Sequence, residues 1–188
     1  MELLFAAIAA SVGVASLILW SQARQARAAR GRGLLPAARD RTALTAQIGD
    51  IVGHLDRDWL VEGALALSEA PRAARLCRLM DGAEERFLYA RADAEEVWLL
   101  AVLEPALDER ADEVTCAGER LRIERRWRAT TLVAGRVGPR PIEPEVAVYE
   151  YASSTGRRLL CLDGAARGLA LYGEALLPHA LEILPGPG

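Results

Sequence analysis

The amino-acid sequence predicts a mainly β domain in which a duplicated antiparallel unit forms a barrel or a sandwich, preceded by one N-terminal transmembrane helix. Three observations predict it: an apolar N-terminal stretch, strict alternation along one long segment, and similarity between two halves of the body. We place a transmembrane anchor at residues 1–21, an arginine-rich juxtamembrane linker at 22–44 and a β-rich domain at 45–188. Its two related halves cover about residues 48–105 and 111–185.

The anchor is predicted from residues 3–20, whose only polar members are two serines. As an α-helix this stretch would be about 27 Å long, close to the roughly 30 Å hydrocarbon core of a bilayer. Trp20 ends it, at the level where interfacial aromatic side chains are found. The competing interpretation is a cleaved secretory signal peptide. That would need a basic segment before the apolar stretch, whereas only Met1 and Glu2 precede it.

Three arginines follow the apolar stretch, at Arg24, Arg27 and Arg30. Because basic flanks stay on the cytoplasmic side, they predict a single-pass protein of the inner membrane with its N-terminus outside and its C-terminal domain in the cytoplasm. The same side chains are candidate contacts for anionic lipid headgroups. The three cysteines are an odd number without metal-ligand spacing, which agrees with buried thiols in a reducing compartment.

The charge of the body limits its partners. Residues 42–188 hold 17 arginines and 24 acidic residues, and the chain contains no lysine. This acidic balance argues against nucleic acid, because binding to nucleic acid needs a basic footprint. The predicted partners are membrane lipid, through the N-terminal helix, and a protein that the sequence does not identify.

The clearest strand is predicted at residues 120–133, where mainly apolar and charged positions alternate as in a half-buried antiparallel strand. The charged parity carries four arginines that are candidate contacts for a partner or for lipid: Arg120, Arg122, Arg126 and Arg128. The simpler interpretation is an exposed strand whose charges prevent edge aggregation. The alternative is a basic face that contacts lipid headgroups, an anionic ligand or an acidic partner.

Turn residues divide the rest of the body into short strands. Asp81-Gly82 and Thr155-Gly156 each separate two apolar runs, which predicts two hairpins. Residues 97–103 are apolar throughout and predict a strand that is covered on both faces. Residues 64–74 are ambiguous, because their alanines suit a helical turn whereas Pro71 favours a loop.

Two short matches relate the halves. Residues 57–62 match residues 119–124 at an offset of 62, and residues 84–88 match residues 156–160 at an offset of 72. The additional ten residues fall in the segment 135–144, whose glycines and prolines predict a long loop. The matches and the turn residues therefore predict the same order of elements in each half, namely a strand, a long strand, a hairpin and a closing strand. One unit could not bury its apolar face alone, so we expect the two to pack together.

Seven stretches of the body carry a family resemblance, at residues 49–52, 59–63, 86–88, 97–100, 118–122, 149–151 and 181–186. In order and spacing they resemble a bacterial family known as domain of unknown function 4178, over residues 45–187. The resemblance implies a β-rich domain without established catalytic residues. Members often occur beside small membrane proteins and a polyamine-synthase-like enzyme, which implies an accessory role in a membrane-associated system.

The sequence presents no convergent catalytic or metal-binding set. His54 and His179 each lie near a predicted turn, without a second ligand at metal-binding spacing. The acidic pairs at 84–85 and 95–96 are interpreted as solvated strand ends rather than as acid–base pairs. The polar run at 153–156 predicts a hairpin tip. We expect no metal, no cofactor and no enzymatic activity.

Two functions are compatible with these features. The first is a membrane-anchored, non-enzymatic interaction or accessory module that presents a β surface to a partner protein. The alternative is a small-molecule-binding β domain at the membrane, with a polyamine or another metabolite as the ligand. An enclosed cavity of several hundred cubic ångströms would favour the alternative, and a filled interior would count against it.

Overall fold

The computed structural model describes residues 41–104, 111–138, 141–164 and 168–186. The predicted anchor lies outside these residues, and so does the linker up to residue 40 with Arg24, Arg27 and Arg30. In the described part of the chain, no helix has both the length and the apolar character needed to span a bilayer.

Eleven strands and one 3₁₀ turn, Pro178–Ala180, make up the described domain, so the prediction of a mainly β class is confirmed. The strands are β1 (Ile51–His54), β2 (Arg57–Glu69), β3 (Arg72–Asp81), β4 (Glu84–Arg91), β5 (Val97–Val102), β6 (Glu113–Cys116), β7 (Glu119–Gly135), β8 (Glu145–Ala152), β9 (Arg157–Asp163), β10 (Leu169–Leu176) and β11 (Leu181–Leu184).

Eight of the strands close into an antiparallel barrel. Their order is β2-β3-β4-β5-β10-β9-β8-β7, and β7 pairs back with β2. Beyond the barrel, β1 and then β11 extend the sheet from the first part of β2, and β6 extends it from the first part of β7. Of the two predicted architectures, the described residues therefore form the barrel.

The predicted turns and strands largely agree with the observed ones. Gly82 and Gly156 both have positive φ, in the turns that join β3 to β4 and β8 to β9. Trp98 of β5 faces the barrel interior and Leu99 packs on its outside, so this strand is covered on both faces. The ambiguous stretch is a hairpin: β2 and β3 are joined through Ala70 and Pro71.

A β-bulge divides each long strand. Glu62 is the extra residue in the ladder from β2 to β3, and Glu124 is the extra residue in the ladder from β7 to β8. One extra residue turns all following side chains to the opposite face of the sheet. In β7, Leu121 therefore packs outside the barrel, whereas Trp127 lines its interior. Both bulged residues end the first sequence match.

The strands β1–β5 and β6–β10 repeat one order of pairings. The offset of 62 holds in the ladders, since His54 pairs with Arg57 and Cys116 pairs with Glu119. The second match is wrong by one residue. Leu88 packs outside the barrel whereas Leu160 lines its interior, because the turn from β8 to β9 is one residue longer than the turn from β3 to β4.

Side chains from all eight strands fill the barrel interior. This inner cluster consists of Leu65, Leu67, Ala74, Leu76, Phe87, Tyr89, Trp98, Leu100, Trp127, Ala129, Val137, Val146, Val148, Leu160, Leu162 and Leu171. Such filling is expected, because an eight-stranded barrel is only wide enough for its own side chains.

Two further apolar clusters lie against the outside of the barrel. The first, which we call the β1 flank cluster, contains Val52 and Trp59 and is partly covered by β11. The second, the β6 flank cluster, contains Cys116, Leu121 and Tyr151. The three cysteines lie among the described residues and are buried, as predicted, and they form no disulfide with one another.

Candidate functional site

The row of four arginines predicted on one face of β7 is divided between two faces, which corrects the prediction. The physical reason is the bulge at Glu124. Arg122 lies opposite Ala152, on the side that continues the barrel interior, and Arg120 shares that side. Arg126 and Arg128 follow the bulge and lie on the outer surface, where the guanidinium of Arg126 is 5.4 Å from the centre of the Tyr149 ring.

Three of these arginines form ion pairs at the surface. Arg120 and Arg122 share the carboxylate of Glu113, at 2.8 and 3.1 Å, and Arg126 lies 3.2 Å from Asp112. Exposed pairs of this kind contribute little to stability.

Glu150 of β8 is a fully buried carboxylate inside the barrel, with 0% exposure. Its Oε1 accepts hydrogen bonds from the Tyr89 hydroxyl at 2.8 Å and from the Trp127 indole N–H at 3.0 Å. Its Oε2 is ion-paired with Arg91. Burial raises the pKa of Tyr89 well above its ordinary value, and the charge of Glu150 and the hydrogen bond to it add to this effect. The buried charge is therefore paired, as a buried charge must be.

A second ion pair lies at the same end of the barrel. Arg158 of β9 holds both oxygens of Glu96, at 3.1 and 3.0 Å, and the Trp98 indole N–H donates to Glu96 at 2.7 Å. The guanidinium groups of Arg91 and Arg158 each lie 5.7 Å from the centre of the Trp98 ring. Glu96 was predicted to be a solvated strand end, so that prediction is wrong.

Six charged residues thus form what we call the end cluster: Arg91, Asp93, Glu96, Arg125, Glu150 and Arg158. Its three carboxylates are each held by at least one of its three arginines. Two of these carboxylates are largely enclosed, because Glu150 is fully buried and both oxygens of Glu96 are held by Arg158. Among the described residues, no group of three or more His, Cys, Asp or Glu side chains is placed to hold a metal ion.

Within the described ranges, strand β6 has an open edge that its counterpart β1 does not have. Between β6 and β7, the N–H of Ile123 donates to the carbonyl of Asp112 at 2.8 Å. Because hydrogen-bonded pairs alternate along an antiparallel ladder, every second residue of β6 up to Cys116 is bonded to β7. Glu113 and Thr115 then direct their N–H and C=O groups away from β7. No strand within the described ranges pairs with that edge.

In the first half, β11 occupies the corresponding edge. Ile51 and Gly53 of β1 correspond to Glu113 and Thr115 of β6, and they lie opposite Leu184 and Glu182 of β11. Among the described residues, the two halves therefore differ at this edge. β11 pairs with β1, and no strand pairs with the corresponding edge of β6.

A pocket of about 320 Å³ opens outside the barrel, beside the loop between β4 and β5. We call it the side pocket. It is lined by Arg41, Thr42, Ala43, Leu44, Ala90, Arg91, Ala94, Glu96, Val97, Pro178, Leu181 and Ile183. Arg91 and Glu96 belong both to this lining and to the end cluster.

Sequence reasoning missed Glu150. A signal was present in β8, because Glu150 shares the parity of Val146 and Val148, which face inward. The other parity contains Tyr149 and Tyr151, which are also suited to burial. The alternation alone therefore could not decide which face of the strand lined the barrel.

The sequence model of a domain of unknown function (DUF4178) matches residues 47–176 of the chain. The chain belongs to the DUF4178 family. The matched segment begins just before β1 and ends at Leu176, so the DUF4178 region contains the ten strands of both halves, and β11 lies beyond it. No curated protein and no solved structure was found to match the chain.

Proposed function

We propose that this DUF4178 protein is a non-enzymatic interaction module, held at the inner face of the membrane by its N-terminal segment, that binds an extended segment of a partner protein on the edge of β6. The observation that carries the proposal is the difference between the halves. β11 pairs with β1, whereas no described strand pairs with the matching edge of β6. The anchor and its direction rest on the apolar stretch and its arginine flank.

The way β11 sits on β1 indicates what kind of segment would fit. Ile183 lies opposite Val52, and Leu181 and Ile183 pack on the β1 flank cluster. Val114 is the residue of β6 that corresponds to Val52, and it packs partly buried on the β6 flank cluster. A partner strand would add main-chain hydrogen bonds to β6 and place alternate apolar side chains beside Val114.

The charged side chains near β6 indicate which residues the second face of such a segment would carry. Arg120 and Arg122, on the strand next to β6, share the single carboxylate of Glu113. An acidic side chain at alternate positions of the partner would complement these two guanidinium groups. The partner segment is therefore an extended one in which apolar and acidic residues alternate, the pattern that β11 itself has at residues 181–183.

The end cluster supports a non-enzymatic role. Its carboxylates and guanidinium groups are joined to one another at the end of a filled barrel, and a paired network of this kind holds strands in one arrangement.

Photo-crosslinking in cells tests the proposal with the full chain. A photoreactive amino acid at Glu113 is expected to give one product with a distinct protein, and the same amino acid at Arg128, on the outer surface of β7, is expected to give none. Thr115→Pro removes an N–H that faces the open edge without removing a bond to β7, and should abolish the product. Thr115→Val keeps the N–H and should retain it. A product with a second copy of this chain, equal products at both sites, or a product insensitive to Thr115→Pro would overturn the proposal.

The alternative function, binding of a small molecule, has one supporting observation, which is the side pocket. The barrel interior does not support it, because side chains from all eight strands fill that space. A ligand of this domain would therefore bind beside the barrel and not within it.

A further inference from the structure

We propose that the side pocket binds a small amphipathic anion, namely a carboxylate that carries a short apolar body. This inference goes beyond the proposed interaction on β6 and does not depend on it. The pocket and the open edge lie on different strands, since the pocket is lined by β4, β5, β11 and residues 41–44.

The apolar body is inferred from the walls and the size of the pocket. Its apolar lining consists of Ala43, Leu44, Ala90, Ala94, Val97, Pro178, Leu181 and Ile183. At the ~30 Å³ that a water-sized group occupies in a liquid, a volume of about 320 Å³ has room for roughly ten such groups. This size lies at the lower end of the range for small-molecule sites.

The negative charge is inferred from the polar groups of the lining. The Nη1 of Arg91 donates to Glu150, and its Nε lies 3.8 Å from Asp93. Its Nη2 has no hydrogen-bond partner among the described residues. Arg41 also lines the pocket, but its Nη1 and Nη2 donate to the carbonyl of Thr45 and to Oε1 of Gln47, and its Nε lies 3.6 Å from Asp50. Of the described lining residues, Glu96 alone is acidic, and both of its oxygens are held by Arg158.

The described lining therefore offers one hydrogen-bond donor without a partner, Nη2 of Arg91, while the carboxylate of Glu96 is already paired. A carboxylate ligand would form a charge-assisted hydrogen bond with this donor. An ammonium group of a polyamine would lie beside the free N–H donor of Arg91 and find no free acceptor there, so this pocket does not suit the cation that the family's genomic neighbours suggested.

The structure supplies a reporter for occupancy. Trp98 donates to Glu96, and its ring lies 5.7 Å from the guanidinium of Arg91, so two of its neighbours line the pocket. A carboxylate that binds Arg91 is expected to change the fluorescence of Trp98.

Ligand titrations of the full chain in phosphatidylcholine nanodiscs test the charge of the ligand. The probes are 4-phenylbutyrate, the matched amine 4-phenylbutylamine, and spermidine, followed by tryptophan fluorescence and calorimetry. The carboxylate is expected to saturate one site and to bind at least about tenfold more tightly than either amine. Equal affinity for carboxylate and amine, or equal signals from empty nanodiscs, would overturn the proposal.

Two matched variants test the location. Ala94 lines the pocket, whereas Ala92 lies exposed in the same loop outside the lining. Ala94→Phe is expected to weaken 4-phenylbutyrate binding at least about tenfold, and Ala92→Phe is expected to leave it unchanged. Equal binding by both alanine variants, with both folded by circular dichroism, would show that the carboxylate binds elsewhere.

Discussion

The hydroxyl of Tyr89 on β4 donates a hydrogen bond across the barrel to Oε1 of Glu150 on β8, 2.8 Å away. These residues come from different halves of the chain, so the hydrogen bond joins the two repeats through the interior. Arg91, two residues after Tyr89 on the same strand, pairs with the second oxygen. The buried carboxylate thus receives two of its three partners, Tyr89 and Arg91, from the opposite half and the third, Trp127, from its own half.

Replacement of Glu150 by leucine is expected to destabilise the protein by about 3–5 kcal/mol, because Arg91 would lose the partner of its largely buried guanidinium. The double variant Glu150→Leu/Arg91→Met is expected to recover most of this loss, since paired charges can be exchanged for apolar groups at little cost. Urea unfolding measures both. Glu145→Leu, at an exposed position of the same strand, is the control. A double variant no more stable than the single one would show that Arg91 is not the main partner.

Tyr89→Phe is expected to lower stability by about 1–2 kcal/mol at neutral pH, because Glu150 loses a buried donor. The raised pKa of Tyr89, caused first by burial and then by Glu150, fixes how this difference varies with pH. The neutral hydroxyl is the form that the fold favours. Its contribution is complete below the ordinary tyrosine pKa of about 10 and is lost as pH rises through the higher folded value. The difference in the free energy of unfolding between wild type and Tyr89→Phe, measured by urea unfolding, should therefore become smaller above about pH 10. A difference that stays constant with pH would contradict this account.

Glu96→Gln is expected to change how the free energy of unfolding depends on pH in the acid range. Burial alone raises the pKa of Glu96, but hydrogen bonds from Arg158 and Trp98 outweigh it, so the pKa lies below its ordinary value. The contribution of Glu96 is therefore present above the unfolded pKa of about 4.3 and is lost as pH falls through the lower folded value. Urea unfolding at neutral pH and at about pH 3 measures this effect. The free energy of unfolding of the wild type should exceed that of Glu96→Gln at neutral pH and should come close to it at about pH 3. The exposed neighbour variant Glu95→Gln should stay close to wild type at neutral pH, and a Glu96→Gln difference that does not change with pH would count against the ion pair.

Leu55→Asn is expected to stabilise the protein by about 0.5–1 kcal/mol. Leu55 lies in the turn between β1 and β2 with φ of 53° and is 86% exposed. Asparagine tolerates this left-handed conformation better than leucine. Ala117, the equivalent residue between β6 and β7, has φ of 50°, so Ala117→Asn should give a similar gain in thermal unfolding. Loss of stability in both variants would contradict this interpretation of the turns.

Local chemistry explains why much of the fold could be predicted. Asp81-Gly82 and Thr155-Gly156 specify tight turns by themselves, and alternating side chains specify strands. The bulges have no such local mark. Glu62 and Glu124 look like ordinary charged positions of an alternating strand, so the four arginines of β7 were expected on one face although the bulge at Glu124 divides them. A pattern of period two shows that a strand alternates, but it does not show where the strand changes face.

The end cluster could not be predicted for a different reason. Arg91, Arg125, Glu150 and Arg158 lie on four strands, and Glu96 lies in a loop. They meet only because the barrel closes with one particular stagger of its strands. The same stagger places Glu150 inside although nothing local distinguishes the two faces of β8. The open edge of β6 also depended on the pairing of β11 with β1, which joins distant parts of the chain.

Amide hydrogen exchange at Thr115, compared with its counterpart Gly53, tests the central claim most directly. In the isolated full chain, the account predicts fast exchange at Thr115, whose N–H faces an open edge, and slow exchange at Gly53, which β11 covers. In native membranes that contain the partner, exchange at Thr115 should become slow while Gly53 stays unchanged. If Thr115 in the isolated chain is already as protected as Gly53, the edge of β6 is not open and the account is contradicted.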